Sequence, residues 1–161
     1  GHAVSCIAAS PASGRLATAG RKGKKFQLAW GTGPDQLNLV DVSGKEIISL
    51  AWLPERGHYA SSLAVGRSDG KLEIWDTASG RVRQTLLHGG GVRRMLADPS
   101  GSQLFTADND RMIRQWDLGS GQLVRDWSGH SGYITDLALS ADGRRLYSGS
   151  TDCTIRWWEL S

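Results

Sequence analysis

Residues 128–159 read SGHSGYITDLALSADGRRLYSGSTDCTIRWWE, and this stretch carries the pattern that decides the fold. Three short apolar runs, at residues 133–139, 145–149 and 153–158, are separated by Asp, Gly and Ser. Short apolar runs between turn-forming residues are typical of β-strands. A fourth run, at residues 122–127, precedes them. The region is therefore predicted to form a small antiparallel sheet.

The same pattern recurs at a fixed distance along the chain. The sequences KLEIWD, MIRQWD and TIRWWE align on a tryptophan followed by an acid, and they occupy residues 71–76, 112–117 and 154–159. Six residues before each aligned tryptophan stands an aspartate, namely Asp69, Asp110 and Asp152. A period of 41 or 42 residues predicts a repeat architecture.

Four repeats fit the 161 residues, and a full period has room for four strands. An isolated four-stranded meander cannot bury both of its faces, whereas a row of such sheets packed face to face can. The prediction is one all-β domain, a β-propeller of four-stranded antiparallel blades that is incomplete and open. The predicted blades span residues 3–42, 46–87, 91–127 and 133–161.

These repeats resemble the WD-repeat family of β-propellers, whose signature is Gly-His near the start of a repeat and Trp-Asp at its end. The best copy has Gly129-His130 and Trp158-Glu159, where only the final Glu departs from the pattern. In that family a buried hydrogen-bond chain joins the histidine, the turn aspartate, a hydroxyl on the second strand and the tryptophan indole. The resemblance implies a structural network at His130, Ser148, Asp152 and Trp158, at His88, Thr106, Asp110 and Trp116, and in part at Asp69 and Trp75.

The first two repeats depart further from the pattern. In the second, Val65 stands at the hydroxyl position and no histidine precedes Ile47, so we expect an incomplete chain of bonds. In the first, a basic stretch at residues 21–25 replaces the turn aspartate, and no acid follows Trp30. We expect lower local stability in that blade.

The number of repeats indicates whether they make up a whole propeller. Members of the family usually have seven or eight blades, and the last repeat here reaches only its third strand. The favoured interpretation is a segment of a larger propeller; the alternatives are a half that pairs with a second copy and a closed four-bladed ring. Exposed blade faces and strand edges predict self-association.

Catalysis and cofactor binding are both disfavoured. His130, Ser148 and Asp152 have the residue types of a hydrolase triad, but a matching set recurs in the previous repeat, which indicates packing. The four histidines are dispersed, and no phosphate-binding or metalloprotease motif is present in the sequence. We therefore expect no catalytic residues, no metal and no cofactor, and we expect the chain not to be an enzyme.

The two cysteines, Cys6 and Cys153, lie far apart in the sequence, and both are interpreted as small buried apolar residues. No apolar run approaches twenty residues, so a membrane span is not expected. The expected location is the cytoplasm.

A basic surface is the main candidate for binding, since the net charge is +3 and the turns between second and third strands of successive blades should emerge on one face. The candidate partner-binding residues are Arg21, Lys22, Lys24, Lys25, Arg67, Arg93, Arg94, Asp108, Asn109 and Tyr133.

The resemblance implies a non-catalytic scaffold that binds a protein or peptide. An acidic protein or peptide is one candidate partner. A ligand-sensing or regulatory propeller attached to a catalytic domain outside this chain is one alternative. Nucleic-acid or anion binding through the basic loops is another, and its nucleic-acid form is disfavoured because no aromatic residues alternate with the basic ones.

Overall fold

The computed structural model describes residues 2–10, 12–33, 36–55 and 57–160. Within these ranges the chain forms fifteen β-strands and one short 3-10 turn at Gly57–Tyr59. The strands are β1 His2–Ala9, β2 Leu16–Lys22, β3 Lys25–Gly31, β4 Leu37–Val42, β5 Ile47–Trp52, β6 Ser62–Arg67, β7 Lys71–Asp76, β8 Arg81–Leu87, β9 Val92–Ala97, β10 Gln103–Asp108, β11 Ile113–Asp117, β12 Gln122–Trp127, β13 Ile134–Leu139, β14 Arg145–Ser150 and β15 Ile155–Glu159.

The strands form four antiparallel sheets, each of which is a simple meander. Strands β1–β4, β5–β8 and β9–β12 make blades 1, 2 and 3, and β13–β15 make the three-stranded blade 4. The prediction of an all-β, open propeller of about four blades is confirmed. The predicted end of the last blade, residue 161, lies outside the described residues.

The first strands of the blades lie side by side and run in the same direction. The Ser5 hydroxyl donates a hydrogen bond to the carbonyl of Ile47, and the Ser49 hydroxyl donates to the carbonyl of Val92. The start of β5 therefore lies beside Ser5 of β1, and the start of β9 lies beside Ser49 of β5.

This alignment brings corresponding turns to the same side of the molecule. The second strand of each blade is antiparallel to the first, so it ends where the first begins; Ile47 pairs with Arg67, for example. We call this side the upper face. It comprises the turns at residues 22–25, 67–71, 108–112 and 150–154 together with the connections at 43–46, 88–91 and 128–133.

Apolar side chains fill the space between neighbouring blades. Between blades 2 and 3, Leu72 and Ile74 pack with Leu104 and Trp116, and the three aliphatic side chains are fully buried. Removing such a side chain from water contributes about 1.5–3 kcal/mol. The repeat-end tryptophans Trp75 and Trp116 are buried, and Trp158 is half-buried.

Neither cysteine is fully buried, contrary to the prediction. Cys6 is half-buried, whereas Cys153 is exposed in the turn between β14 and β15, with a positive φ of 63°. Apolar character alone could not reveal that this position lies in a surface turn. Within the described ranges, no helix has the length and apolar character needed to cross a membrane.

Candidate functional site

The four residues predicted to form the network of blade 4 are brought together. The indole N–H of Trp158 donates to Ser148 Oγ (2.9 Å), and Ser148 Oγ lies 2.8 Å from His130 Nε2. His130 Nδ1 lies 2.9 Å from Asp152 Oδ2. With the indole donating to it, the hydroxyl can give its own proton to Nε2, which leaves Nδ1–H for the carboxylate. Ser148 is 1% exposed, so the hydroxyl is enclosed by its partners and closed to a substrate.

Blade 3 contains the same arrangement with one change of residue. The Trp116 indole donates to Thr106 Oγ1 (2.9 Å), which lies 2.6 Å from His88 Nε2. The carboxylate beside His88 belongs to Asp108, not to the predicted Asp110: the Nδ1 to Oδ2 distance is 3.0 Å, without the alignment of a hydrogen bond.

The choice of Asp110 is therefore corrected to Asp108. Asp108 is the last residue of β10, and its side chain is fully buried beside the imidazole. Asp110 lies in the exposed turn, where it accepts a hydrogen bond from the backbone N–H of Met112 and pairs with Arg114. The offset of six residues from the tryptophan selects Asp110, as it selects Asp152 in blade 4, but the packing of blade 3 places Asp108 beside the imidazole.

The network holds both carboxylates in their ionised form. Burial acts to raise the pKa of Asp108, but the nearby His88 imidazole and the backbone N–H of Asp110, which donates to the carboxylate, outweigh it and lower the pKa to about 2. The hydroxyl of Thr154, followed by His130 and the backbone N–H of Ser131, holds the pKa of Asp152 far below its ordinary value.

Blade 2 has a different polar chain in place of the incomplete one that was expected. The Arg67 guanidinium donates to the carbonyl of Ser43 and pairs with Glu73 (3.4 Å), and Glu73 Oε2 accepts from the Trp75 indole (3.0 Å). Ser43 stands four residues before Ile47, which is the position that His88 and His130 hold before their strands. The guanidinium thus occupies the region of the missing imidazole. Asp69 lies in the adjoining turn and accepts from the backbone N–H of Lys71.

Two residues of the candidate partner-binding face are corrected by their burial. Arg67 is 2% exposed and Asp108 is 1% exposed, and both are engaged in the networks just described. Each ends the second strand of its blade, and its side chain turns into the blade instead of toward solvent. Neither is a surface contact.

The remaining candidates are exposed on the upper face, in two places. Arg21, Lys22, Lys24 and Lys25 surround the turn between β2 and β3. In that turn, Lys25 pairs with Asp41 at 2.8 Å, and Arg21 Nε donates to the carbonyl of Gly23. The second place, with Arg93, Arg94, Asn109 and Tyr133, lies between blades 3 and 4.

A groove surrounds Tyr133 at this second place. It consists of two adjoining cavities of about 360 and 370 Å³ that share Asn109, Tyr133 and Thr151. Arg93 and Arg94 line the first cavity, and Arg111 lines the second. We call it the Tyr133 groove.

The Tyr133 segment is held in place by blade 4. The backbone N–H of Tyr133 donates to Thr151 Oγ1 (2.8 Å), and the N–H of Thr151 donates to the carbonyl of Tyr133 (2.9 Å). The N–H of Ser131 donates to Asp152 Oδ2 (2.9 Å). A side chain at Gly132 would collide with Thr151, so glycine permits this close approach. Tyr133 is nevertheless 57% exposed, so the residue presents an aromatic side chain from a backbone held by these hydrogen bonds.

Sequence reasoning missed Arg111 as a member of this groove. Arg111 has a positive φ of 67°, at the turn position that Gly70 occupies in blade 2. A non-glycine residue is strained at this position, and blade 4 has one as well, Cys153 with a φ of 63°. Alignment of the turns shows that an arginine replaces the glycine of blade 2. The sequence alone does not show that this side chain reaches the connection to blade 4, where it contacts Ser131.

The comparisons with known proteins agree with the repeat pattern. The family model described as "WD domain, G-beta repeat" matches residues 80–117 and 121–159. The human angio-associated migratory cell protein is 35% identical over 89 residues, which cover 55% of this chain and 20% of that protein. Nuclear distribution protein PAC1 of Arthroderma otae is 33% identical over 109 residues, covering 62% and 24%. Protein groucho of Drosophila melanogaster is 35% identical over 102 residues, covering 62% and 14%. The aligned regions span a quarter or less of each of these three relatives.

Proposed function

Because the chain belongs to the WD-repeat family, we propose that it is a non-catalytic interaction module that binds a protein or peptide partner on its upper face. WD-repeat domains generally mediate protein–protein interactions, and the fold generally serves as a non-catalytic scaffold.

The observation that carries the proposal is the Tyr133 groove. It combines a concave surface, an exposed aromatic ring and arginine side chains on a rigid backbone. Tyrosine and arginine are enriched among the residues that contribute most to protein–protein binding. Buried polar networks in blades 3 and 4 hold the strands on both sides, so little order has to be gained on binding.

The test is selection of peptides from a random library displayed on phage. Selected peptides should bind the native chain and lose most of their affinity for Tyr133→Ser. The matched control is Tyr147→Ser, which removes another exposed tyrosine, one on β14 away from the groove. Failure to select any peptide, or binding that Tyr147→Ser abolishes and Tyr133→Ser leaves intact, would contradict the proposal.

A further inference from the structure

We infer that the Tyr133 groove is a subsite for an acidic peptide segment, in which arginine side chains bind a carboxylate or phosphate group beside the tyrosine ring. The inference rests on the proposed function and specifies the chemistry of the partner. Three observations on Arg93, Arg94 and Arg111 support it: their charge is not neutralised by a carboxylate, their side chains are held by hydrogen bonds, and the nearby acids are engaged elsewhere.

The three arginines of the groove carry charge that the described residues do not neutralise. Arg93, Arg94 and Arg111 are exposed, and within the described part of the chain none of them lies within 4 Å of a carboxylate oxygen. By contrast, Arg114 in the same blade pairs with both Asp108 and Asp110. A cluster of three like charges disfavours the unbound state, and an anion relieves it.

Each of these arginines is anchored by a neutral oxygen. Arg93 Nε donates to Asn109 Oδ1, and Arg94 Nε donates to the carbonyl of Thr135. Arg111 Nη1 donates to the carbonyl of Ser131 at 3.4 Å. Such bonds orient a guanidinium without cancelling its charge, and its other N–H groups stay available to an anion.

Three acids lie close to the groove: Asp110 is exposed but paired with Arg114, and the other two are turned inward. Asp108 is turned to His88 and Arg114, and Asp152 to His130 and the backbone N–H of Ser131. The networks that stabilise blades 3 and 4 thus draw negative charge away from the upper face. The arginines are left as the outward charge of the groove.

The chemistry of the groove fits a peptide better than a nucleic acid. A single exposed aromatic ring, Tyr133, lines the two cavities, whereas binding of single strands uses a succession of stacked aromatic rings. One ring beside guanidinium groups suits an apolar side chain followed by an acid. The partner should present that pair of residues in an extended segment.

The test is fluorescence anisotropy with a matched series of labelled peptides. The first peptide has glutamates next to a leucine, the second has phosphoserine in place of glutamate, and the third has glutamine. A labelled single-stranded RNA is measured in parallel. We expect the two anionic peptides to bind about tenfold more tightly than the glutamine peptide, with affinity that falls as salt rises. The ratio of the two anionic peptides distinguishes carboxylate from phosphate as the preferred group.

Variants separate this subsite from general attraction. Arg93→Gln and Arg111→Gln should each weaken the anionic peptides about three- to tenfold and leave the glutamine peptide unchanged. Arg81→Gln makes the same charge change at an exposed residue at the start of β8, away from the upper face, and should have no effect. Equal melting temperatures show that the variants are folded.

Three results would overturn the inference: equal binding of the glutamine and glutamate peptides, equal loss in Arg81→Gln, or tighter binding of the RNA. The phage-selected peptides keep this outcome distinct from failure of the proposed function. If they bind through Tyr133 without dependence on Arg93 and Arg111, only the acidic subsite is wrong. If they do not depend on Tyr133, the proposed face is wrong.

Discussion

Thr106 and Ser148 each join a tryptophan indole to an imidazole inside a sheet. Both are buried, with exposed fractions of 0% and 1%. Each hydroxyl serves two polar partners, because it accepts from the indole and contacts a ring nitrogen. Loss of such a hydroxyl leaves the indole N–H and the imidazole nitrogen without a partner. Removal of this one oxygen should therefore lower the free energy of unfolding substantially.

Thr106→Val keeps the shape of the side chain and removes only the hydroxyl. We expect a loss of about 1–3 kcal/mol in the free energy of unfolding, measured by urea denaturation, since the His88 and Trp116 nitrogens lose their partner. Thr85→Val makes the same change on the exposed face of β8 and should shift stability by less than about 0.5 kcal/mol. Equal effects of the two substitutions would show that the hydroxyl has no structural role.

The carboxylate of Asp108 predicts a pH dependence. Its pKa is about 2 in the folded chain, below the ordinary 3.8, so its ionised form favours folding. That contribution is complete above pH ~4 and is lost as the pH falls toward ~2. The difference in unfolding free energy between the native chain and Asp108→Asn should therefore shrink over this interval, as measured in urea at several pH values. A difference that does not vary with pH would contradict the role of the ionised group.

At the scale of single residues, the sequence predicted the blade 4 network in full and the blade 3 network with one wrong acid. The histidine, hydroxyl and tryptophan have fixed positions relative to their strands, so the pattern identifies them. The acid has no such fixed position, because Asp108 and Asp110 both lie near the start of the turn. Only the three-dimensional packing shows that Asp108 is the one beside His88. Arg67 was placed on the surface for a related reason, because the basic side chain gives no sign that a carboxylate and a backbone carbonyl lie within the blade.

At the scale of hairpins, blades 2 and 3 contain the same ion pair with its charges exchanged. Arg67 on β6 pairs with Glu73 on β7, and Asp108 on β10 pairs with Arg114 on β11. Glu73 and Arg114 stand at equivalent positions of the sheet, opposite Val65 and Thr106. The hairpin therefore accepts either sign at each position, provided that the two charges are opposite.

A double-mutant cycle tests this equivalence. Arg67→Asp alone places two carboxylates together and should cost about 3–5 kcal/mol of stability. Addition of Glu73→Arg reproduces the charges of blade 3, with Asp69 in the place of Asp110, and should recover more than ~1 kcal/mol. Urea denaturation of the four proteins gives the coupling. A double variant no more stable than Arg67→Asp would show that the hairpins are not equivalent.

In the turn between β10 and β11, Arg111 has a strained backbone conformation and places its side chain in the Tyr133 groove. Arg111→Gly should raise the free energy of unfolding by about 1 kcal/mol, because glycine adopts the positive φ of 67° without strain. Arg111→Ala is the matched control, since it removes the guanidinium and keeps the strain. Both should weaken the anionic peptides equally, and only the glycine variant should melt at a higher temperature. Stabilisation by alanine as well would place the effect in the side chain instead of the backbone.

At the scale of the whole molecule, the fold and the surface follow from the sequence to different degrees. The period of 41 or 42 residues predicts stacked meanders because each sheet needs a neighbour to bury its apolar face. The Tyr133 groove, by contrast, depends on contacts between blades, such as the bond from Arg94 to the carbonyl of Thr135, and no periodicity within a repeat encodes them.

The free side of blade 4 is the other large feature of the molecule. Ile155 and Trp157 on β15 are 81% and 57% exposed, and the Arg145 guanidinium lies 4.9 Å from the centre of the Trp157 ring. Self-association of the chain remains a prediction from this exposed surface. The upper face stands at the ends of the strands, so its groove stays accessible whatever covers the side of the blade.

The most direct measurement of recognition on the upper face is hydrogen–deuterium exchange of the chain with and without a phage-selected peptide. We expect added protection of backbone amides at residues 108–112 and 130–133, with unchanged exchange in the turns at the opposite ends of the strands, at residues 98–102 and 140–144. Protection confined to those opposite turns, or none in either set, would contradict binding at the Tyr133 groove.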